Sequence, residues 1–210
     1  MPIAEKYDLD DFGVVVWEIT ETEDFFKERI SYRSNANNPS KALQQMASRY
    51  VLELMHPSFP FSQVQQLDSG KLVLQDSPID FSLTHTAEFT AAIMSSNFKV
   101  GIDVEKIDSR VLKVDKKFLN HYELDWLSTL DLDSRLKLTT LCWSIKETVF
   151  KWWGAGGIDF ANHINIHAIE QLNRGTILVD FTKISLRSLQ VHYSLIGNHW
   201  LTYIAAEQEA

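Results

Sequence analysis

Short apolar runs closed by turn residues alternate along the chain with segments of helical spacing. Gly13-Val14-Val15-Val16-Trp17-Glu18-Ile19 is brief, β-branched and aromatic, which predicts a buried strand. Thr20 to Asp24 puts capping oxygens and acids ahead of Phe25 and Phe26, a helix-start signal. Leu43, Met46, Ala47, Tyr50, Val51 and Leu54 recur at helical spacing, so a helix is expected over 41–55, capped by Ser40 and ended by Pro57 to Pro60. Asp68-Ser69-Gly70 predicts a turn that joins 64–67 to 72–74 as a hairpin. Further strands are expected over 80–84, 89–94 and 99–104. In the second half, 115–119 and 122–130 read as helical. A long helix capped by Ser134 is expected to reach Trp153 and stop at Gly154. Strands over 164–169, 176–181, 190–195 and 200–205 follow, separated by turns at Asn173-Arg174-Gly175 and Gly197-Asn198. Each half thus carries helix followed by several strands. No residue-level repeat accompanies that order, so only the order of elements suggests a duplication.

Composition narrows the class. Of 210 residues, 45% are hydrophobic and 11% aromatic, enough for a packed core in one domain or two small ones. Cys142 is the only cysteine, which rules out an intramolecular disulfide and suits a reducing, cytoplasmic setting. With 28 acidic and 20 basic residues the net charge is −8, which argues against a non-specific nucleic-acid binder. The apolar runs are too short for a signal peptide or a membrane span. A soluble protein is therefore expected.

Three segments carry candidate chemistry. In Gly101-Ile102-Asp103-Val104-Glu105, strand alternation points Asp103 and Glu105 to one side and packs Ile102 and Val104 on the other. Paired carboxylates repel, and hard oxygen ligands suit Mg²⁺ or Mn²⁺. The same pair would also suit an exposed edge with solvated acids. In Trp143-Ser144-Ile145-Lys146-Glu147-Thr148-Val149-Phe150-Lys151, the residues Trp143, Glu147 and Lys151 share a helical face. An acid and an amine in such apolar company suggest function, although a surface ion pair has the same spacing. Ser82-Leu83-Thr84-His85-Thr86 ends a strand with hydroxyl and imidazole groups that could grip a phosphate. Gly70-Lys71 is not a phosphate loop of the Walker type, since Gln65 and Leu72 stand at required positions.

Taken in order, with 18 residues from His85 to Asp103 and 42 from Glu105 to Glu147, these segments resemble the 4′-phosphopantetheinyl transferases, specifically the larger single-chain, two-lobed class. The resemblance implies an α+β fold of two similar lobes related by a pseudo-twofold axis, with the active site in the cleft between them. Residues 1–100 would form the coenzyme-binding lobe and 101–210 the metal-binding and catalytic lobe. It implies transfer of the phosphopantetheine arm of coenzyme A to a serine of an acyl or peptidyl carrier protein, releasing 3′,5′-ADP. Asp103, Glu105 and Glu147 match the family's Mg²⁺ ligands, Glu147 its proposed general base, and Lys151 the group that assists the departing phosphate. Thr84 and His85 match the pair at the coenzyme's 3′-phosphate, and Lys71 the lysine near the adenine nucleotide. Lys41 stands where the family often has Arg, with Arg49 as a further phosphate contact. Departures are Leu72 for the usual proline and Thr84 for the usual serine. A monomer is expected, with coenzyme A and carrier as partners, and neither nucleic acid nor membrane. Lys113, Lys116 and Lys117 could help to meet an acidic carrier. The rival readings are another metal-dependent phosphodiester enzyme, such as a nuclease, and a non-catalytic carrier-binding relative.

Two other features are assigned structural roles. His163 and His167 stand four apart, but Ile164 and Ile166 alternate between them as in a strand, which argues against a zinc pair. Cys142 sits on an apolar helix and reads as a buried structural thiol.

Overall fold

The computed structural model describes residues 3–9, 11–167, 169 and 173–207. Strand β1 (Ile3–Asp8) alternates weakly and runs antiparallel to β2 (Gly13–Glu18) at a sheet edge. The sequence pattern gave no strand there, because an exposed edge strand needs no continuous apolar face. Both faces of β2 are covered. Val14 and Val16 face one core, while Val15 and Trp17 face another together with Val51 and Leu52. The short helix α1 (Glu23–Lys27) packs on α2 (Pro39–Met55). The cap of α2 is Asn38, whose side chain accepts from the Lys41 amide, and not Ser40: Pro39 lacks a donor and belongs at the first helical position.

The expected hairpin forms as β3 (Val64–Gln66) and β4 (Leu72–Leu74). Strands β5 (Asp80–His85) and β6 (Phe89–Ser95) complete a four-stranded antiparallel sheet in the order β1-β2-β6-β5. Strand β7 (Lys99–Lys106) then opens a second sheet. After it come a one-turn helix at Asp115–Lys117, shorter than the expected 115–119, and α3 (His121–Ser128). The long helix α4 (Leu132–Trp153) is capped by Asp131, whose carboxylate accepts from the amides of Asp133 and Ser134. Ser134, the expected cap, lies inside the helix. Gly154 ends it with φ 72, the left-handed conformation that glycine adopts without strain.

The single turn α5 (Phe160–His163) leads to β8 (Ile164–Ile166), which ends sooner than the strand expected over 164–169; residue 168 lies outside the described residues. Strands β9 (Arg174–Phe181), β10 (Arg187–Ile196) and β11 (His199–Ala206) close an antiparallel sheet in the order β7-β11-β10-β9-β8. The protein is therefore a mixture of helices and antiparallel sheets. Leu141, Ile145, Val149 and Trp152 of α4 pack with Val179, Val191 and Ile204 of the second sheet. The two sheets meet through another core, where Val14, Val16 and Ile93 face Ile102, Val104 and Leu201. Among the described residues no helix is long and apolar enough to cross a membrane.

Candidate active site

Gly101 decides how closely α4 can approach β7. A methyl group built there would lie 2.7 Å from the Trp152 amide nitrogen and closer still to the Thr148 carbonyl oxygen. The helix backbone thus rests directly on the strand, and only a residue without Cβ leaves room. That seating brings the polar face of α4 against Asp103 and Glu105.

Asp103 is 3% exposed and is gripped from three sides. Lys151 Nζ donates to its Oδ1 at 2.7 Å, Thr84 Oγ1 donates to the same oxygen at 3.2 Å, and Ser144 Oγ donates to Oδ2 at 2.9 Å. Ser144 is itself backed by Thr202, whose hydroxyl also meets that of Thr148. Lys151 donates as well to the Ile102 carbonyl at 3.1 Å. Glu105 accepts from the Trp143 indole at 2.9 Å. Burial pushes the Glu105 carboxyl up to about 7, and the charges of Asp103 and Glu147 add to this. Glu147 is likewise raised to about 7, by burial and then by Asp103. The three acids therefore share one electrostatic neighbourhood. Their all-oxygen donors suit a small hard cation, whose charge would relieve the repulsion. No group of three His, Cys, Asp or Glu side chains among the described residues is arranged to hold a metal, and the Asp103 oxygens are engaged by Lys151, Thr84 and Ser144.

On the other side of Lys151 lies a cavity of about 290 Å³. Arg49, Lys71 and His85 line it from the first half of the chain, and Phe150, Lys151 and Gly154 from the second. The Arg49 guanidinium stacks over Tyr32 at 4.9 Å, and burial lowers its pKa. His85 is held below the usual imidazole value by desolvation at the wall, then by the charges of Lys151 and Arg49. The wall thus carries the cations of Arg49, Lys71 and Lys151, the two lysines each paired with a carboxylate, beside the Phe150 ring, a setting in which charge-assisted hydrogen bonds to an anion can form.

The structure brings Asp103, Glu105, Glu147 and Lys151 into one neighbourhood, and gathers Lys71 and His85 with Lys151 around the cavity. Two expected phosphate contacts stand apart from it. Lys41 is exposed in the first turn of α2 and is not among the lining residues. Thr84 is buried, and its hydroxyl accepts from the Val104 amide at 3.1 Å while donating to Asp103. Lys146, a motif residue without an assigned role, faces away from the acids. Its fully buried ammonium meets Glu123 at 2.9 Å and donates to the carbonyls of Phe160 and Ile164. His163 accepts from the Asp159 amide and His167 pairs with Asp180, so the two histidines are spent separately. Cys142 is buried, and burial raises its thiol pKa far above the usual range, as for an inert thiol. Sequence reasoning assigns no role to Asp80, Ser82 or Ser144, whose partners on β7 lie 20 or more positions away and have no local spacing signal.

An acidic face and a cavity lined by Arg49, Lys71 and His85 thus meet at Lys151. The family model of the 4′-phosphopantetheinyl transferase superfamily matches residues 99–204, and the chain belongs to that superfamily. It is 32% identical over 81 residues to 4′-phosphopantetheinyl transferase gsp of Aneurinibacillus migulanus, covering 39% of this chain and 34% of the relative. It is 28% identical over 109 residues to a Haemophilus influenzae protein provisionally named as a 4′-phosphopantetheinyl transferase, covering 48% and 44%. The match therefore spans less than half the length of either relative.

Proposed function

We propose that the chain transfers the 4′-phosphopantetheine arm of coenzyme A to a serine of an acyl or peptidyl carrier protein, with Mg²⁺, and releases 3′,5′-ADP. The observation that carries this reading is the position of Lys151, between Asp103 and a cavity lined by Arg49, Lys71 and His85. In this reading residues 1–100 and 101–210 are two lobes related by a pseudo-twofold axis. They share one cleft, and the chain works as a cytoplasmic monomer.

The cationic wall binds the anionic end of the coenzyme, with Lys71 and His85 as phosphate contacts and Phe150 beside the base. Asp103, Glu105 and Glu147 would hold the cation, which supplies charge neutralisation at the diphosphate. Glu147 is the carboxylate that would take the proton of the carrier serine. The serine oxygen forms a bond to the phosphorus on the pantetheine side, and the bond from that phosphorus to the oxygen of 3′,5′-ADP breaks. Lys151, fixed by the Ile102 carbonyl and Asp103, stabilises or protonates the departing phosphate. Thr84 and Lys41 remain candidate coenzyme contacts, Lys41 only through movement of its exposed side chain.

Glu147→Gln tests the assignment. Transfer should fall about 10²- to 10⁴-fold, as for loss of a general base, while coenzyme A still binds. Undiminished transfer would overturn the role of Glu147. A wild-type chain that binds carrier but transfers nothing would favour the non-catalytic reading.

A further inference from the structure

Strand β5 meets β7 without backbone pairing, since each lies at the edge of its own sheet. Alternate side chains of β5 serve the amides of β7 instead. Asp80 Oδ2 accepts from Val100 N at 2.8 Å, Ser82 Oγ from Ile102 N at 3.3 Å, and Thr84 Oγ1 from Val104 N at 3.1 Å. Among the described residues the side chain of the middle member, Ser82, makes no other hydrogen bond. Each outer one has a second partner in the candidate site: Thr84 reaches Asp103, and Asp80 reaches Lys71.

The Asp80 contact is unusual for its depth. The Lys71 ammonium lies 2.9 Å from Asp80 Oδ2, with side chains only 10% and 6% exposed. Lys99 is more distant, 3.9 Å from Oδ1. The stem of Lys71 is confined on its other flank by Gly154, where an added Cβ would lie 2.5 Å from Lys71 Cδ. Ser69, two residues before Lys71, donates to the Gly154 carbonyl. A lysine normally loses considerable rotamer freedom when it grips a ligand. Here that freedom is already gone, and the ammonium stands at the wall of the cavity.

We propose that Asp80 is a positioning residue for coenzyme binding: it fixes Lys71 at the cavity wall and ties that position to β7 through the Val100 amide. This rests on the transfer reading above. Burial alone would drive a lysine towards its neutral form, and Asp80 opposes that drift. The carboxylate also subtracts charge from an anion site. With Lys71 so enclosed, placement and retained charge outweigh that subtraction.

Asp80→Asn is the test, because the amide oxygen can still accept from Val100 while the charge is lost. Titration calorimetry with coenzyme A should show binding weakened about tenfold, and KM for coenzyme A should rise more than kcat falls. Lys71→Met should weaken binding at least as much. Adding Asp80→Asn to Lys71→Met should then have little further effect, because Asp80 acts through Lys71. Binding by Asp80→Asn as tight as wild type, or tighter, would overturn the proposal, as would full additivity of the two changes. A melting temperature for Asp80→Asn close to wild type separates weakened binding from unfolding; where it is low, binding is measured well below it, and an affinity there equal to wild type still overturns the proposal. If the wild-type chain binds neither coenzyme A nor 3′,5′-ADP, the transfer reading fails along with this one.

Discussion

Replacing Gly101 by Ala probes the packing on which the candidate site depends. Gly101 is not held in a left-handed conformation, so the substitution adds a methyl group and no backbone strain. That methyl would stand 2.7 Å from Trp152 N, where an ordinary contact begins at 3.4 Å, so α4 must retreat by about 0.7 Å there and further at Thr148. Both neighbours are helix backbone, which cannot swing aside as a side chain would. Overpacking of this kind costs about 1–3 kcal/mol, a fall in Tm of roughly 2–12 °C for a chain of this size. The larger effect falls on chemistry. Retreat of α4 draws Glu147 and Lys151 away from Asp103 together, and a misplacement of ~1 Å can cost about 10²-fold in rate. Turnover is measured as modified carrier formed per enzyme, well below the melting temperature of the variant. A Gly101→Ala protein with wild-type turnover and an unchanged Tm would refute the seating of α4 on β7.

Three further outcomes follow from buried charge. Lys146→Met leaves Glu123 buried without its cation and should destabilise by about 3–5 kcal/mol, read by chemical denaturation; Glu123→Gln on top should restore part of the loss, and no destabilisation would contradict the buried pair. Burial and mutual repulsion raise the carboxyls of Glu105 and Glu147 from 4.5 to about 7, so between those values the folded state holds more protons than the unfolded chain. Stability contributed by these groups should therefore be fully present below about pH 4.5 and be lost as pH climbs through 7. Mg²⁺ at pH 8 should raise Tm by relieving the same repulsion. A Tm that is flat with pH and indifferent to Mg²⁺ would count against a shared acidic neighbourhood.

The acids and Lys151 were legible in the sequence because two local periodicities placed them. Strand alternation set Asp103 beside Glu105, and helical spacing set Glu147 beside Lys151. Gly101 stands next to them, but its reason, the approach of a helix backbone, appears only in three dimensions. The caps were misassigned by small margins. Ser40 and Ser134 have the right chemistry, yet Asn38 and Asp131 stand where the chain first turns helical. Strand β1 was missed because its partner supplies the apolar face. Thr84 shows a further limit: its hydroxyl type was read as suited to a phosphate, but the register of β5 against β7 commits it to Val104 and Asp103. Lys146 sits in the same motif as Glu147, and helix rotation alone sends it to Glu123.

The most direct test of the account is the intact mass of an apo carrier protein incubated with this chain, coenzyme A and Mg²⁺. The account predicts a gain equal to one phosphopantetheine arm per carrier, one 3′,5′-ADP released for each gain, and no reaction when the cation is chelated. An unchanged mass across a panel of acyl and peptidyl carriers, with coenzyme A left intact, would contradict it.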